Sequence, residues 1–459
     1  MKKLCVILFL VLLSCSCLFA GGRDEENNQP KILKVMSKVA VTTMDSEVTS
    51  SGGDFEVISN FMDGLMQLAS DGTAQYALCK SEVISADGLT RTYTLRDDAF
   101  WANGVPVTAK DFVFGWRRAI DPETASEYSY FMYEIAHVKN AEAINKGQLP
   151  LTALGVKALD DYTLEVTLDA PVSFFDTLLT VPLFFPLNED FYLSCGDAFA
   201  TSPDTLLSNG AFIVTDYQPA ALMFRMKKNP TYYDADRIHI DGLQFQVLLD
   251  SQQALMSYQN GDLDFIYVAG DQIDQVSEDP AFTTVPNGYI WFILPNWGGV
   301  EKLKNQSLRL ALSSALNREE IVHSVVKDGS TPTYSIVPQA FVYDEEGHDF
   351  TPAEKEYPDV CSYNPDNARK YFAQALHSLG VDSVDLELTC DDPVIQQKVA
   401  VVIKEQLETT LPGLHISLRV VPTKQRIMNA TRGDFELVLE RCILRRSIGQ
   451  VINNFKNPC

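Results

Sequence analysis

The run beginning at residue 386 most constrains what this chain can fold into. LELTC reads as a strand, VIQQKVAVVIKEQLE as a helix and LHISLRVV as an alternating strand, which together make a β-α-β pattern. Such a unit must be covered by further layers, and the rest of the chain supplies them. KILKVMSKVAV is a strand candidate, SSGGD a loop, and FEVISNFMDGLMQL has helix-like spacing. In RTYTLRDDAFWANGVPVTAKDFVFGWRRAI, Tyr93 and Leu95 alternate as a strand and Asn103-Gly104 turns the chain. Thr108 with Asp111 makes a capping-box start, after which Phe112, Trp116 and Ala119 share one helical face. Leu164, Val166 and Leu168 alternate in TLEVTLDAP, while LQFQVLLD and LDFIYV read as strands separated by a helical stretch. Leu308, Ala311, Leu312, Ala315 and Leu316 line an amphipathic helix, and Asp366 to Leu379 predicts another, ended by Gly380. The expectation is an α/β protein of several lobes.

The chain has 459 residues, enough for two or three domains with a large core. A formal net charge of -24 disfavours nucleic acid or anionic membrane surfaces as partners, because their phosphates repel it. The N-terminal MKKLCVILFLVLLSCSC joins two lysines to an apolar run and reads as a secretory signal. Leu12-Leu13-Ser14-Cys15 resembles a bacterial lipobox, which makes Cys15 the expected lipid attachment site; cleavage after Ala20 is the alternative. TLLTVPLFFPL, around residue 182, is the most apolar later segment, and its prolines predict a buried strand and loop. None of the nine cysteines forms a CxxC pair.

Chemistry is sparse. Six scattered histidines lack the i, i+4 partner of a zinc helix, and there is no G-x-S-x-G elbow, phosphate loop or dinucleotide fingerprint. Asp97-Asp98 and Asp160-Asp161 sit where turn residues belong. Without a nucleophile-base set a hydrolase is disfavoured. An exported chain of several lobes with 25 Phe, 18 Tyr and 4 Trp fits a binding protein.

The segment TYTLRDDAFWANGVPVTAKDFVFGWRRAIDPETASEYSYF resembles the extracytoplasmic solute-binding proteins of family 5, the peptide and nickel binders of ABC importers. The oligopeptide-binding branch is most similar. The register continues through LGVKALDDYTLEVTLDAPVSFF, SNGAFIV, KKNPTYYD, NGDLDF and SLRLALSSALNREEIV, back to TTMDSEV and MDGLMQLASDG, and forward to YNPDNARKYFAQAL, so the likeness spans about residues 32 to 440. It implies a periplasmic-binding-protein-like α/β fold of two lobes with a hinge, one lobe carrying an extra domain. Residues 1–14 would then be signal, 15–31 a lipid-anchored tether, 32–62 and 188–290 lobe I, 63–187 the extra domain packed on it, and 291–440 an incomplete lobe II.

The resemblance also implies a monomer that holds short peptides, docks on permease subunits, meets the membrane through its lipid, and needs neither cofactor nor metal nor catalytic residues. Ligand-lining positions carry over to Ser50 and Gly52 in the first loop, Tyr128, Gln396, Thr423, and the strand from Leu437 to Leu439. Ser50 stands where peptide binders can offer a larger or acidic side chain, and surface helix or loop is the alternative for Gln396 and Thr423. The family continues past that strand with Gly-Trp and an aspartate for the ligand's α-ammonium. Here the run is Arg441-Cys442-Ile443-Leu444-Arg445, with no acid among residues 441–459. This ending is expected to be an aberrant basic tail that leaves the C-terminal part of the fold missing and impairs binding. A repurposed surface lipoprotein, an adhesin or scaffold, is the other expectation.

Overall fold

A computed structural model describes residues 30–38, 40–69, 72–285, 289–335, 348 and 362–443. Strand β1 (Ile32–Ser37) opens the first lobe, and its successive residues Val35 and Met36 are buried on opposite faces in two separate apolar clusters. The chain then leaves this sheet for a long excursion. A ribbon of β2 (Met66–Leu68) and β3 (Ala74–Tyr76) leads to an antiparallel sheet of β4 (Cys79–Ile84), β5 (Thr90–Leu95), β6 (Val156–Asp160) and β7 (Thr163–Thr167), in the order β4-β5-β7-β6. Strands β8 (Phe212–Asp216), β9 (Met223–Lys228) and β10 (Gly242–Val247) bring the chain back, and β10 pairs parallel with β1 from Ile32↔Gly242 to Ser37↔Val247. A parallel pair needs a long crossover, and the whole excursion serves as one.

Two helices tie the excursion to the lobe. Helix α1 (Gly52–Phe61) is capped by Ser51, whose side chain accepts from the Asp54 amide. Helix α2 (Ala109–Ile120) starts at the Thr108–Asp111 capping box, where the Thr108 amide donates to the Asp111 carboxylate at 2.7 Å. Phe112, Trp116 and Ala119 are fully buried along one face of α2, as their spacing predicts. One apolar cluster runs from Val35 and Ile58 through Tyr93 and Trp116 to Phe224 and Phe245, so the excursion shares its core with the first lobe.

The second lobe is a separate sheet in the order β11-β14-β12-β13, built from β11 (Tyr289–Pro295), β12 (Val384–Asp391), β13 (Leu414–Val421) and β14 (Leu437–Ile443). Helix α3 (Ser251–Gln259) precedes it in the chain, and α4 (Gln306–Ser314), α5 (Pro365–Leu379), α6 (Val394–Thr410) and α7 (Thr423–Arg432) belong to it. The expected β-α-β unit is β12-α6-β13, with β12 and β13 parallel over eight residue pairs. Gly380, at φ 69°, terminates α5 in the left-handed conformation that glycine adopts without strain. Leu308, Phe372, Leu388, Ile403 and Leu437 meet in a second core distinct from the first.

Several local expectations differ from the structure. SSGGD is not a loop throughout: Ser51 caps α1 and both glycines lie in its first turn, because a good N-cap outweighs glycine's poor helix propensity there. The helix-like pattern of FEVISNFMDGLMQL ends at Phe61, and Met66–Leu68 forms strand β2. TLLTVPLFFPL is buried from its second residue onward, but it begins within the helical turn Phe175–Leu178 and holds another at Pro182–Phe184 in place of a strand, since proline removes a ladder donor. LDFIYV makes only one bridge to β1, Phe265 with Val35. Finally, β14 runs through Arg441 to Ile443, paired with β11 as far as Tyr289, because a ladder is made by backbone groups whatever the side-chain charge.

Candidate functional site

Ligands of open α/β sheets bind beyond the carboxyl ends of parallel strands. In the first lobe that edge is the end of β1, where the loop running to Ser51 is pinned by a buried carboxylate. Asp54 accepts from Thr49 Oγ1 at 2.7 Å, from the Thr42 and Thr43 amides at 3.0 and 3.2 Å, and from Thr42 Oγ1. Beside it Arg118 binds Asp45 through two nitrogens at 2.7 and 2.6 Å and Glu47 at 2.9 Å. Burial, reinforced by Asp45, pushes the Glu47 carboxyl well above the usual range despite the Arg118 charge. Arg118 also lies over the rings of Tyr192 and Phe199, and with Asp45 these line a depression of about 390 Å³.

The loop so fixed presents Ser50, and Gly52 opens α1 directly after it. Ser50 Oγ donates to Glu127 Oε2 at 2.6 Å, which joins the loop to the Glu127-Tyr128 turn 77 residues later. Tyr128 is half-buried and stacks on Phe131 at 5.0 Å, with Phe55 at 5.7 Å and Tyr130 at 5.9 Å completing an aromatic wall. Ser50, Gly52 and Tyr128 are thus brought together on one face.

The second lobe presents the ends of β12 and β14. These strands are paired only at Leu388↔Leu437 and Thr389↔Val438, and then separate. Between them lies Arg426 of α7, which ion-pairs with Asp391 at the end of β12 and with Glu440 of β14. Gln396 of α6 donates to the other Asp391 oxygen at 3.0 Å. Asp391, Gln396 and Arg426 are all buried, so the cluster is a closed charge network whose members satisfy one another. Leu437 and Leu439 point into the core of the lobe and anchor β14, leaving its backbone beyond Val438 without a β12 partner.

The lobes touch where the Gly270 amide donates to Lys327 O at 2.9 Å. Lys38, just after β1, lies at this junction with its ammonium 4.0 Å from the Tyr267 ring centroid. Partial loss of hydration lowers the Lys38 pKa, against the pull of Glu56 and of Asp328 from the second lobe, although the residue keeps an exposed surface.

The sequence-derived positions therefore fall into two groups, Ser50, Gly52 and Tyr128 on the first lobe and Gln396, Thr423, Leu437 and Leu439 on the second. Gln396 is not a surface helix residue but is buried against Asp391, and Thr423 is not in a loop but opens α7. Cys15 lies outside the described residues. Sequence reasoning missed Glu127, Asp391, Arg426 and Glu440. The alternation of β14 places Glu440 opposite in sense to Leu439, but nothing local marks Arg426 as its partner. The acid pairs are structural: Asp97 bridges Lys80, Asp98 bridges Arg96, Asp161 bridges Lys110, and Asp160 accepts from the Tyr162 amide. Among the described residues no group of three or more His, Cys, Asp or Glu is arranged to hold a metal ion, and no helix is long and apolar enough to cross a membrane.

Comparison with known proteins identifies the family and the fold. The model of the bacterial extracellular solute-binding proteins, family 5 Middle, matches residues 73–444. The chain is 32% identical over 453 residues to a dipeptide-binding protein of Lactococcus lactis, covering 96% of this chain and 81% of that one. It is 28% identical over 417 residues to the dipeptide-binding protein DppE of Bacillus subtilis, covering 90% and 75%. Among solved structures, Listeria monocytogenes OppA bound to peptide superposes with a TM-score of 0.76 at 31% identity, covering 93% of this chain and 84% of that one. These matches, with the two-lobe α/β architecture, show that the chain belongs to the bacterial extracellular solute-binding proteins of family 5.

Proposed function

We propose that this chain is the extracytoplasmic substrate-binding component of an ABC importer, which captures short peptides between its two lobes and hands them to membrane permease subunits. The observation that carries this reading is the β14 edge, which loses its β12 partner after Val438 and so offers backbone groups to an added strand. A peptide bound in this way is held mainly through its own backbone. That tolerates varied side chains, as the names of the relatives, dipeptide- and oligopeptide-binding proteins, suggest.

In this reading Ser50, Gly52 and Tyr128 approach the peptide from the first lobe while Thr423 and the β14 backbone beyond Val438 approach from the second; Gln396 acts only through Asp391, and Leu437 and Leu439 hold the strand from the core side. Lobe I spans residues 32–62 and 188–290, the extra domain 63–187 and lobe II 291–440. A ligand touching both lobes favours the closed form, because only then are both sets of contacts made. A signal ending before Cys15, lipid on Cys15 and a short tether would hold a monomer near its permease.

Titration calorimetry and thermal melting of the chain with peptides of two to five residues test the proposal. Binding accompanied by a rise in melting temperature is expected, about 2.7 kcal/mol of added stability at a hundredfold excess over Kd. Absence of both heat and thermal shift with every peptide would refute it.

A further inference from the structure

We infer that Glu127 is a specificity-determining residue: its carboxylate, held by Ser50 beside an aromatic wall, receives a cationic group of the bound peptide. The cation is either the α-ammonium or a lysine or arginine side chain.

Three observations meet at this point. First, the carboxylate is fixed and not neutralised. Ser50 Oγ donates to one oxygen at 2.6 Å, and among the described residues Glu127 takes part in no ion pair. Of the other acids that order these two faces, Asp45 and Glu47 share one arginine, Arg118, Asp391 and Glu440 share Arg426, and buried Asp54 is held by hydroxyl and amide donors of its own loop. Glu127 is exposed, so a ligand can reach its second oxygen.

Second, three of the four residues that follow it are aromatic. Tyr128, Tyr130 and Phe131 lie within 4.9 to 5.9 Å of one another, and Tyr128 also meets Phe55. A carboxylate beside ring faces is a combination suited to cations, since the rings attract the charge and cover the alkyl stem. Third, the net charge of -24 biases the approach of diffusing ligands toward cationic ones.

Ser50 itself is too short and uncharged to select by charge. Its hydroxyl instead recruits a carboxylate from 77 residues away, so the acidic character of this corner is encoded in the turn and not in the loop.

The inference rests on the peptide-binding reading, and the experiment separates the two. Tripeptides differing only by lysine or norleucine at one position, and only by a free or acetylated amino terminus, are titrated calorimetrically into the wild-type chain and into Glu127→Gln. Glutamine keeps an acceptor for Ser50 and removes the charge. In the wild type a cationic peptide should bind about three- to tenfold more tightly than its neutral match, the range of a partly screened ion pair aided by ring contact. That ratio should fall toward one in Glu127→Gln and invert in Glu127→Lys when lysine is exchanged for glutamate in the ligand. The pair that responds, lysine or amino terminus, identifies the cation. Equal affinities in the wild type, or a ratio that survives in Glu127→Gln, overturn the inference while leaving the peptide reading intact. A wild type that binds no peptide overturns both. Thermal melts of the variants should match the wild type, because Glu127 is exposed and contributes no buried pair.

Discussion

Replacing Arg426 by methionine tests whether the second lobe depends on a closed charge network. The Arg426 side chain is 4% exposed and that of Asp391 is fully buried, while Glu440 retains 18% exposure. Methionine fills similar space but leaves Asp391 as a buried carboxylate whose remaining partner is neutral Gln396. Glu440 can rehydrate, so most of the penalty falls on Asp391. Breaking a buried ion pair from one side costs about 3–5 kcal/mol. An exposed control, Arg225→Met, removes a bridge to Asp216 and should cost less than about 1 kcal/mol. Urea unfolding followed by fluorescence and circular dichroism measures both variants, provided the slope with denaturant is preserved. Adding Asp391→Asn to Arg426→Met removes the stranded charge and should restore about 2 kcal/mol, a coupling visible in the double-mutant cycle. A cost for Arg426→Met no larger than that of the control, or a double variant no more stable than the single, would refute the reasoning.

Two further perturbations address the first lobe. Glu47 binds a proton more readily when folded than when unfolded, because burial raises its pKa. Its contribution to stability is therefore complete below the unfolded value near about 4.3 and is lost as pH rises toward the raised folded value. Glu47→Gln should gain stability relative to the wild type as pH climbs from about 5 to 8, measured by thermal melts; a difference that stays flat or shrinks would contradict the assignment. At Gly64 an added Cβ would lie 2.5 Å from the Phe185 ring and 3.0 Å from Leu179 O. Gly64→Ala should cost about 1–3 kcal/mol in urea unfolding, and Phe185→Leu in the same chain should relieve part of it.

What sequence reveals and what it hides divides along the range of the interaction. The Thr108–Asp111 cap, the buried face of α2, the Gly380 stop and the β12-α6-β13 unit were all legible, because each depends on residues within one or two helical turns or on simple alternation. TLLTVPLFFPL and LDFIYV read as strands and are not, because apolar runs do not say whether a ladder partner will be present. In the first, proline and local turns took the backbone donors; in the second, β1 offers only one bridge.

For the site, the resemblance placed the Ser50 loop, Tyr128 and β14, but not the charges that give those positions their character. Ser50 meets Glu127 across 77 residues, and Arg426 meets Asp391 across 35 and Glu440 across 14. Elements that rest on periodicity and caps can be read along the chain because those signals act locally, and the family is carried by the resemblance over about residues 32 to 440. Only the tertiary structure decided which carboxylates are neutralised and which are left facing solvent, because charge pairing depends on distances that folding creates between remote segments.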